Sequence, residues 1–455
     1  MDNSEKRSLK FLIKPIVFLI GLITTVWIVL WIETIRPSDF GFYKDIFKRE
    51  EIIEKRESYP LKNTGKPLSA NEFEMGKIAW KYFENNYQPQ TGFVNSVDKY
   101  NATTLWDLSS SLMATLSAYE IGIIDTAKLD QRLSQAFNSL ITMSLYDNKL
   151  PNKVYNTMNL EMTTYDNRPT PNGVGWSSLD IGRFLTLCTR IIHNYPQYTH
   201  FVKSIQTRWN ITSAIQNASL TGIGLSFKDG KELQVQEGKL GYEEYCAKGF
   251  QQMGYDVSNA MQYTDFIKFV EIYGVQIATD SREVKYHPGY NYIVSDPYIL
   301  DGLEYGFDVN SRELAYRVFL VQKKRYEQTK IMTAVGETHI DTIPYFIYNS
   351  IYVDGKKWKC VSESGADATD LKTFSTAVAF GWYYLFDDTY SELLFKKVSL
   401  LYNPDLGWYS GIYEKTGKTN KAITSNVNAM VLEALNYKFN GSFIFKKQVS
   451  NYESH

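Results

Sequence analysis

The stretch Thr424-Ser-Asn-Val-Asn-Ala-Met-Val-Leu-Glu-Ala-Leu435 decides the fold class of this chain. Val427, Met430, Val431, Ala434 and Leu435 recur at steps of three and four, which lines them along one face of an α-helix. Thr424 or Ser425 can cap its start, and Gly441 lies just beyond its end. The same spacing recurs upstream in Leu108, Leu112, Leu116 and Tyr119, in Ile181, Phe184, Leu185, Cys188 and Ile192, and in Leu314, Val318 and Val321. From residue 70 onward the pattern predicts roughly ten to twelve helical segments. Asp229-Gly230 and Asp354-Gly355, each between strand-like runs, predict hairpin turns. No fixed repeat period and no strand–helix alternation appear, which excludes a regular solenoid and a doubly wound sheet. A mainly α fold follows, either a bundle or an α/α toroid, with short β-hairpins in its loops.

Working outward to the N-terminus, residues 15–32 run for eighteen positions without a charge. As a helix they span about 27 Å, close to the hydrocarbon thickness of a bilayer. Trp27 and Trp31 crowd the far end, where indoles favour the headgroup level. No small-residue cleavage site follows, so an uncleaved anchor is expected rather than a signal peptide. Four cations precede the span (Lys6, Arg7, Lys10, Lys14) and four follow it (Arg36, Lys44, Lys48, Arg49). The first four sit in a short tail, and long domains translocate largely regardless of charge, so the domain is expected outside the cytoplasm. The expected organisation is a cytoplasmic tail (1–14), a transmembrane helix (15–32), a juxtamembrane stalk (33–69), a helical domain (70–445) and a C-terminal tail (446–455). The charged run from Lys44 to Glu57 predicts a solvated helix within the stalk.

Composition removes several function classes. Lys plus Arg (49) nearly balances Asp plus Glu (50), so nothing suggests a nucleic-acid partner. Cys188, Cys246 and Cys360 are odd in number and widely spaced, and are expected as buried free thiols. His193, His200, His287, His339 and His455 form no metal-binding pattern, and no P-loop, nucleophile elbow or complete dinucleotide fingerprint is present. No metal or cofactor is expected. The 34 tyrosines, 25 phenylalanines and 9 tryptophans suit surfaces that stack on sugar rings, although most aromatics fill core.

Carboxylates set among these aromatics are the remaining chemistry. They are Trp106-Asp107, Trp176-Ser-Ser-Leu-Asp180, Gly241-Tyr-Glu-Glu-Tyr245, Ser295-Asp-Pro-Tyr298 and Gly336-Glu-Thr-His-Ile-Asp341. Glycoside hydrolysis needs two carboxyl groups, one protonated and one ionised, and an apolar neighbour raises the acid's pKa. A structural role is the alternative for each: Asp107 and Asp180 stand near helix starts, where carboxylates meet the helix dipole, and Glu337 and Asp341 would share a face of one helical turn.

These residues carry a resemblance. Thr104-Leu-Trp-Asp107, Leu150-Pro-Asn-Lys-Val-Tyr-Asn-Thr157, Gly175-Trp-Ser-Ser-Leu-Asp-Ile-Gly-Arg183, Glu237-Gly-Lys-Leu-Gly-Tyr-Glu-Glu-Tyr245, Ser295-Asp-Pro-Tyr298 and Gly407-Trp-Tyr-Ser-Gly-Ile-Tyr-Glu414 stand in an order that resembles a bacterial family catalogued as domain of unknown function 3131. That family is similar to glycoamylase-like α/α toroids, which implies a carbohydrate-active fold with a cleft at one end. On that implication the first choice of acid is Glu243, with Asp107, Asp180 and Glu337 as partner or base. Trp106, Tyr155, Trp176, Tyr242, Tyr298 and Trp408 would supply stacking faces. Lys153, Asn156, Arg183, Asn426, Asp296, Asp341 and Glu414 would bind sugar hydroxyls.

The function expected is a polysaccharide-processing enzyme of the bacterial envelope, a glycoside hydrolase or transglycosylase held at the cytoplasmic membrane. Two alternatives stand beside it. One is a non-catalytic polysaccharide-binding or assembly subunit that partners a membrane glycan synthase. The other is a lyase on uronate polymers, with His339 beside Glu337 as its pointer.

Overall fold

A computed structural model describes residues 18–28, 53–225, 232–282 and 289–444. These fall into two units, one ending at Ile52 and one beginning at Ile53. In the first, residues 18–28 are helical, with Phe18, Leu19, Ile23 and Trp27 exposed. The remainder of the expected span, the basic tail, residues 33–52, the Asp229-Gly230 turn and residues 445–455 lie outside the described residues. Among the described residues no helix is long and apolar enough to cross a membrane.

The second unit contains eleven α-helices among its described residues. They are α1 (Ala70–Asn85), α2 (Leu105–Glu120), α3 (Thr126–Thr142), α4 (Ser178–Asn194), α5 (Thr199–Arg208), α6 (Tyr242–Gln252), α7 (Asp296–Leu300), α8 (Val309–Thr329), α9 (Thr376–Leu385), α10 (Thr389–Val398) and α11 (Ser425–Asn440). Six of them form a closed ring: α2 packs on α4, α4 on α6, α6 on α7, α7 on α9, α9 on α11, and α11 back on α2. Outside it, α1 lies on α11, α3 on α2, α5 on α3 and α4, α8 on α7, and α10 on α9. This is an α/α toroid, which decides between the two architectures that periodicity left open.

The inner helices are buried nearly all round, and their sequences allow it. In α2, Ser109, Ser110, Ser111, Ala114 and Thr115 are buried, the hydroxyls of Ser109, Ser111 and Thr115 bonding to carbonyls one turn back. Small residues let two helix backbones approach closely, most of all where α4 crosses α6. A Cβ on Gly249 would lie 2.0 Å from the Gly182 carbonyl oxygen, and one on Gly182 would lie 2.5 Å from that of Cys246. α7 is short and continues into a π-helical turn, Asp301–Tyr305, closed by Gly306 at φ 73°. Cys188, Cys246 and Cys360 are buried free thiols, as expected.

Short antiparallel strands deliver the chain to the inner helices at one end of the ring. Ala102–Thr104 leads into α2, Thr373–Ser375 into α9 and Thr419–Ile423 into α11. Asp354 and Gly355, at φ 47° and 75°, form the expected tight turn between Tyr352–Val353 and Lys356–Lys357. Two positive φ values match a type I′ hairpin.

The stalk expectation needs correction for residues 53–69, which form an extended strap on the domain. Ile53 is buried, and Arg56 reaches Glu313 on α8 at 2.6 Å. Tyr59 donates to the same carboxylate, while Gly65 and Lys66 donate backbone N–H groups to the Lys438 carbonyl. An apolar anchor residue and these long-range bonds outcompete local helix formation in the described part of the charged run.

The α4–α6 crossing is a direct test of the ring. Gly249→Ala forces a methyl group into a backbone carbonyl, so denaturant unfolding should show a loss of about 3 kcal/mol or more. An unchanged midpoint would mean the two helices are not in contact at this point.

Candidate functional site

A cleft of about 420 Å³ opens where the six inner helices begin. Its wall includes Trp106 and Asp107 from the first turn of α2, Asp180 from α4, Tyr242 from α6, Asp296 from α7, Ala377 from α9 and Asn426 from α11. Four of these helices are capped by a hydroxyl that accepts a backbone N–H: Thr104, Ser177, Ser375 and Thr424. Six helix N-termini give the mouth a ring of partial positive charge, which favours carboxylates.

The carboxylates fall into two groups. Asp107, Asp180 and Glu237 form the first. Asp107 is saturated: it accepts from Ser96 Oγ (2.5 Å), Thr104 Oγ1 (2.8 Å) and Asn426 Nδ2 (2.7 Å). It therefore serves as the capping partner of α2 and orients Asn426. Asp180 accepts from the Trp106 N–H at 3.3 Å. Burial, then the charges of Glu237 and Asp107, push its carboxyl up to about 7. Glu237 accepts from both the backbone N–H (2.5 Å) and hydroxyl (2.9 Å) of Ser178.

Asp296 and Glu337 form the second group, with Glu363 nearby. The Glu337 N–H donates to Asp296 at 3.0 Å. Burial raises Asp296 to about 7, and burial plus the Asp296 charge raises Glu337 to about 8. Tyr242 hydrogen-bonds to Glu337, and its ring meets Trp106 edge-on at 5.7 Å. Glycines make room for both groups: a Cβ on Gly222 would lie 2.3 Å from a Glu237 oxygen, and one on Gly336 would lie 2.7 Å from an Asp296 oxygen.

Below the cleft lies a buried charge cluster. Arg183 donates to Ser110 (2.5 Å), Glu304 (3.3 Å) and Glu433 (3.5 Å), with its guanidinium 4.7 Å from the Trp106 ring centre. Tyr245 donates to Glu304 at 2.6 Å. Burial and the neighbouring Glu304 hold Glu433 well above the usual carboxylate range. Arg183 thus lines the cleft, but its guanidinium is engaged by protein groups.

The predicted site residues divide cleanly by position. Asp107, Asp180, Glu337, Trp106, Lys153, Arg183, Tyr242, Asp296 and Asn426 line the cleft. Lys153 is also tied to the Ile223 carbonyl at 2.6 Å. Glu243, the first choice of acid, does not reach the cleft. It is 1% exposed and paired with Arg282 at 2.6 Å, because its position on α6 points it behind the cleft wall. Tyr155, Trp176, Tyr298 and Trp408 are core residues rather than stacking faces. The Trp176 and Trp408 indoles donate to the Thr221 and Met75 carbonyls, and Tyr155 donates to Ser144. Asn156 bonds to Asn167 at 3.2 Å, Glu414 forms a two-pronged pair with Arg325, and Asp341, on no helical turn, accepts from Tyr413 and Lys421. None of these last three lines the cleft.

Glu237, Tyr165, Tyr348 and Glu363 also line the cleft, beyond the site residues expected from the sequence. The signal for Glu237 was its setting in Glu237-Gly-Lys-Leu-Gly241. Gly238 and Gly241 adopt φ 91° and 101°, and that turn separates Glu237 from the start of α6.

With this geometry established, comparison identifies the relatives. The family model described as Protein of unknown function (DUF3131) matches residues 74–441, and the chain belongs to that family. No curated protein matches. Among solved structures, a glucoamylase-like protein from Bacteroides caccae aligns with a TM-score of 0.58 at 9% identity, covering 82% of this chain and 94% of the other. An endo-β-1,2-glucanase from Chitinophaga pinensis, in complex with sophorotriose and glucose, aligns with a TM-score of 0.55 at 12% identity, covering 83% and 94%. An endo-β-1,2-glucanase from Talaromyces funiculosus, in complex with sophorose, gives 0.54 at 13%, covering 83% and 85%. The chain shares their glucoamylase-like fold.

The raised carboxyls set a stability prediction. The folded state binds protons on Asp296 and Glu337 more tightly than the unfolded chain, whose values stay near 4. Each group therefore costs stability as pH rises from about 4 to about 8. Asp296→Asn and Glu337→Gln should each raise the unfolding free energy at about pH 8.5 by on the order of 1 kcal/mol after allowing for solvent in the cleft, read by denaturant unfolding. The gain should shrink at about pH 4.5; equal gains at both pH values would remove the proton linkage.

Proposed function

We propose that this member of the family is a glycoside hydrolase or transglycosylase acting on a neutral polysaccharide. The observation that carries the reading is the pairing of Glu337 and Glu237 in one cleft, beside Trp106 and Tyr242. Glu337, protonated near neutral pH, gives its proton to the departing glycosidic oxygen. Glu237 takes a proton from the incoming nucleophile, water in hydrolysis or a sugar hydroxyl in transfer. Asp180 and Asp296 carry raised pKa values of their own and tune this pair. The glucan ligands of the similarly folded enzymes favour a glucan as the first substrate class to test.

Charge argues against the lyase reading. The cleft gathers Asp107, Asp180, Glu237, Asp296, Glu337 and Glu363, whereas Lys153 and Arg183 are held by protein groups. Burial lowers the His339 pKa and disfavours its cationic form, so among the described residues lining this cleft no unengaged cation is poised for a uronate. The proposal also includes the membrane tether. The uncharged run 15–32 and the short basic tail before it support an envelope location with the toroid outside the cytoplasm.

The test is incubation of the full chain with neutral glucans and exopolysaccharides, scored by new reducing ends or changed chain length. Glu337→Gln and Glu237→Gln should each reduce activity about 100-fold or more, the usual weight of a general acid or base. Wild-type activity should fall as pH rises through about 8, where Glu337 loses its proton. Binding without product from every polymer would favour the assembly-subunit reading instead.

A further inference from the structure

Beside the main cleft lies a second cavity of about 400 Å³. The two share Lys153, Leu179, Glu237, Tyr242, Glu337 and Tyr348 in their walls. The proposed acid and base therefore stand at the junction of two lobes, not at the blind end of one. Away from the junction the main lobe runs to Tyr100, Tyr165 and Glu363, and the second runs to Tyr290 and Tyr292. Either lobe alone falls within the volume range of an ordinary small-molecule site.

The second lobe is furnished for sugar rings. Tyr348 lies at the junction, and Tyr292 is stacked on it with ring centres 4.2 Å apart and planes 11° apart. Tyr290 follows at 6.1 Å from Tyr292 and is 45% exposed. The three rings thus lead from the carboxylates toward solvent. The wall also includes Gly222, where the absence of a side chain leaves room for the Glu237 carboxylate, and Gly224 on the same strand. Asn291, between the two outer tyrosines, is fixed by accepting from Thr279 and the Asp280 N–H, which holds this segment in place. Aromatic faces beside the polar side chains of the junction suit a hexose, which has an apolar face and a hydroxyl rim.

We propose that this tyrosine-lined lobe binds sugar units on one side of the cleaved bond while the main lobe binds those on the other. The chain then acts on internal bonds of a polymer instead of trimming its ends. The inference rests on the glycosidase reading, and binding can be read separately from turnover.

On a polymer the full chain degrades, early products should be a mixture of lengths with a rapid fall in mean chain length. A single short product from the first time point would overturn the proposal. Tyr290→Ala changes a half-exposed ring and should leave folding intact; Tyr292→Ala is the stronger perturbation. Each should lower kcat/KM on the polymer about tenfold, the scale of one aromatic stacking contact, and lower it less on the shortest cleaved oligosaccharide. Equal losses on both would also overturn it. Affinity electrophoresis of the full chain in gels containing neutral glucans or exopolysaccharides reads the lobe without turnover. Retardation that weakens in Tyr290→Ala supports the proposal even where no product forms. Retardation unchanged in both variants, or absent with every polymer, sinks it.

Discussion

One buried arginine holds the floor of the toroid together. Arg183, on α4, joins Ser110 of α2, Glu304 of the π-helical turn and Glu433 of α11, and Tyr245 of α6 joins through Glu304. Five segments of the ring thus meet at a single guanidinium. A buried charge without partners costs several kcal/mol, so this position tolerates few alternative packings. Two glutamates face one arginine, and the elevated Glu433 carboxyl leaves the cluster close to neutral. From the floor the same network climbs through Ser110 and Asn426 to Asp107. The base of the cleft is therefore as rigid as the core, and the side chains above it are preorganised by it.

The mouth is built on an opposing pair of electrostatic effects. Six helix N-termini attract negative charge, while burial and crowding of the carboxylates resist it. The outcome is uneven. Asp107, with its donors supplied, does structural work, whereas Asp180, Asp296 and Glu337 are pushed toward the neutral range where proton transfer is easy. A site that keeps such groups together gives up stability for reactivity, a common trade in enzymes.

The helices were legible in the sequence because an apolar face repeats locally, and so were caps such as Thr424. Ring closure was not legible, because the contact between α2 and α11 joins residues more than 300 positions apart, as Asp107 and Asn426 show. The site was half legible. Asp180, Trp106, Tyr242 and Asn426 stand at helix starts, and helix starts face the cleft. Glu243 also stands at a helix start, yet the rotation of α6 about its axis turns it away. Sequence spacing specifies neighbours on one helix but not which flank faces the ring's interior. Trp176 and Trp408 misled for a related reason: an indole with one satisfied N–H fits a core as well as a sugar platform. Glu237 was hidden because its placement depends on two glycine turns rather than on any periodic pattern.

Ring closure also carries a consequence for how the molecule is made. During synthesis α2 emerges early and α11 last, so Asn426 and Thr424 reach the cleft only when nearly the whole domain exists. Until then Ser110 and Asp107 face an open seam, with buried-type surface in water and the Arg183 cluster lacking Glu433. Such long-range pairing slows folding, because loop entropy is lost before the contacts that offset it can form. The nascent chain is thereby an arc that cannot assemble the carboxylate mouth, and the last helix acts as the keystone that both closes the wall and completes the site.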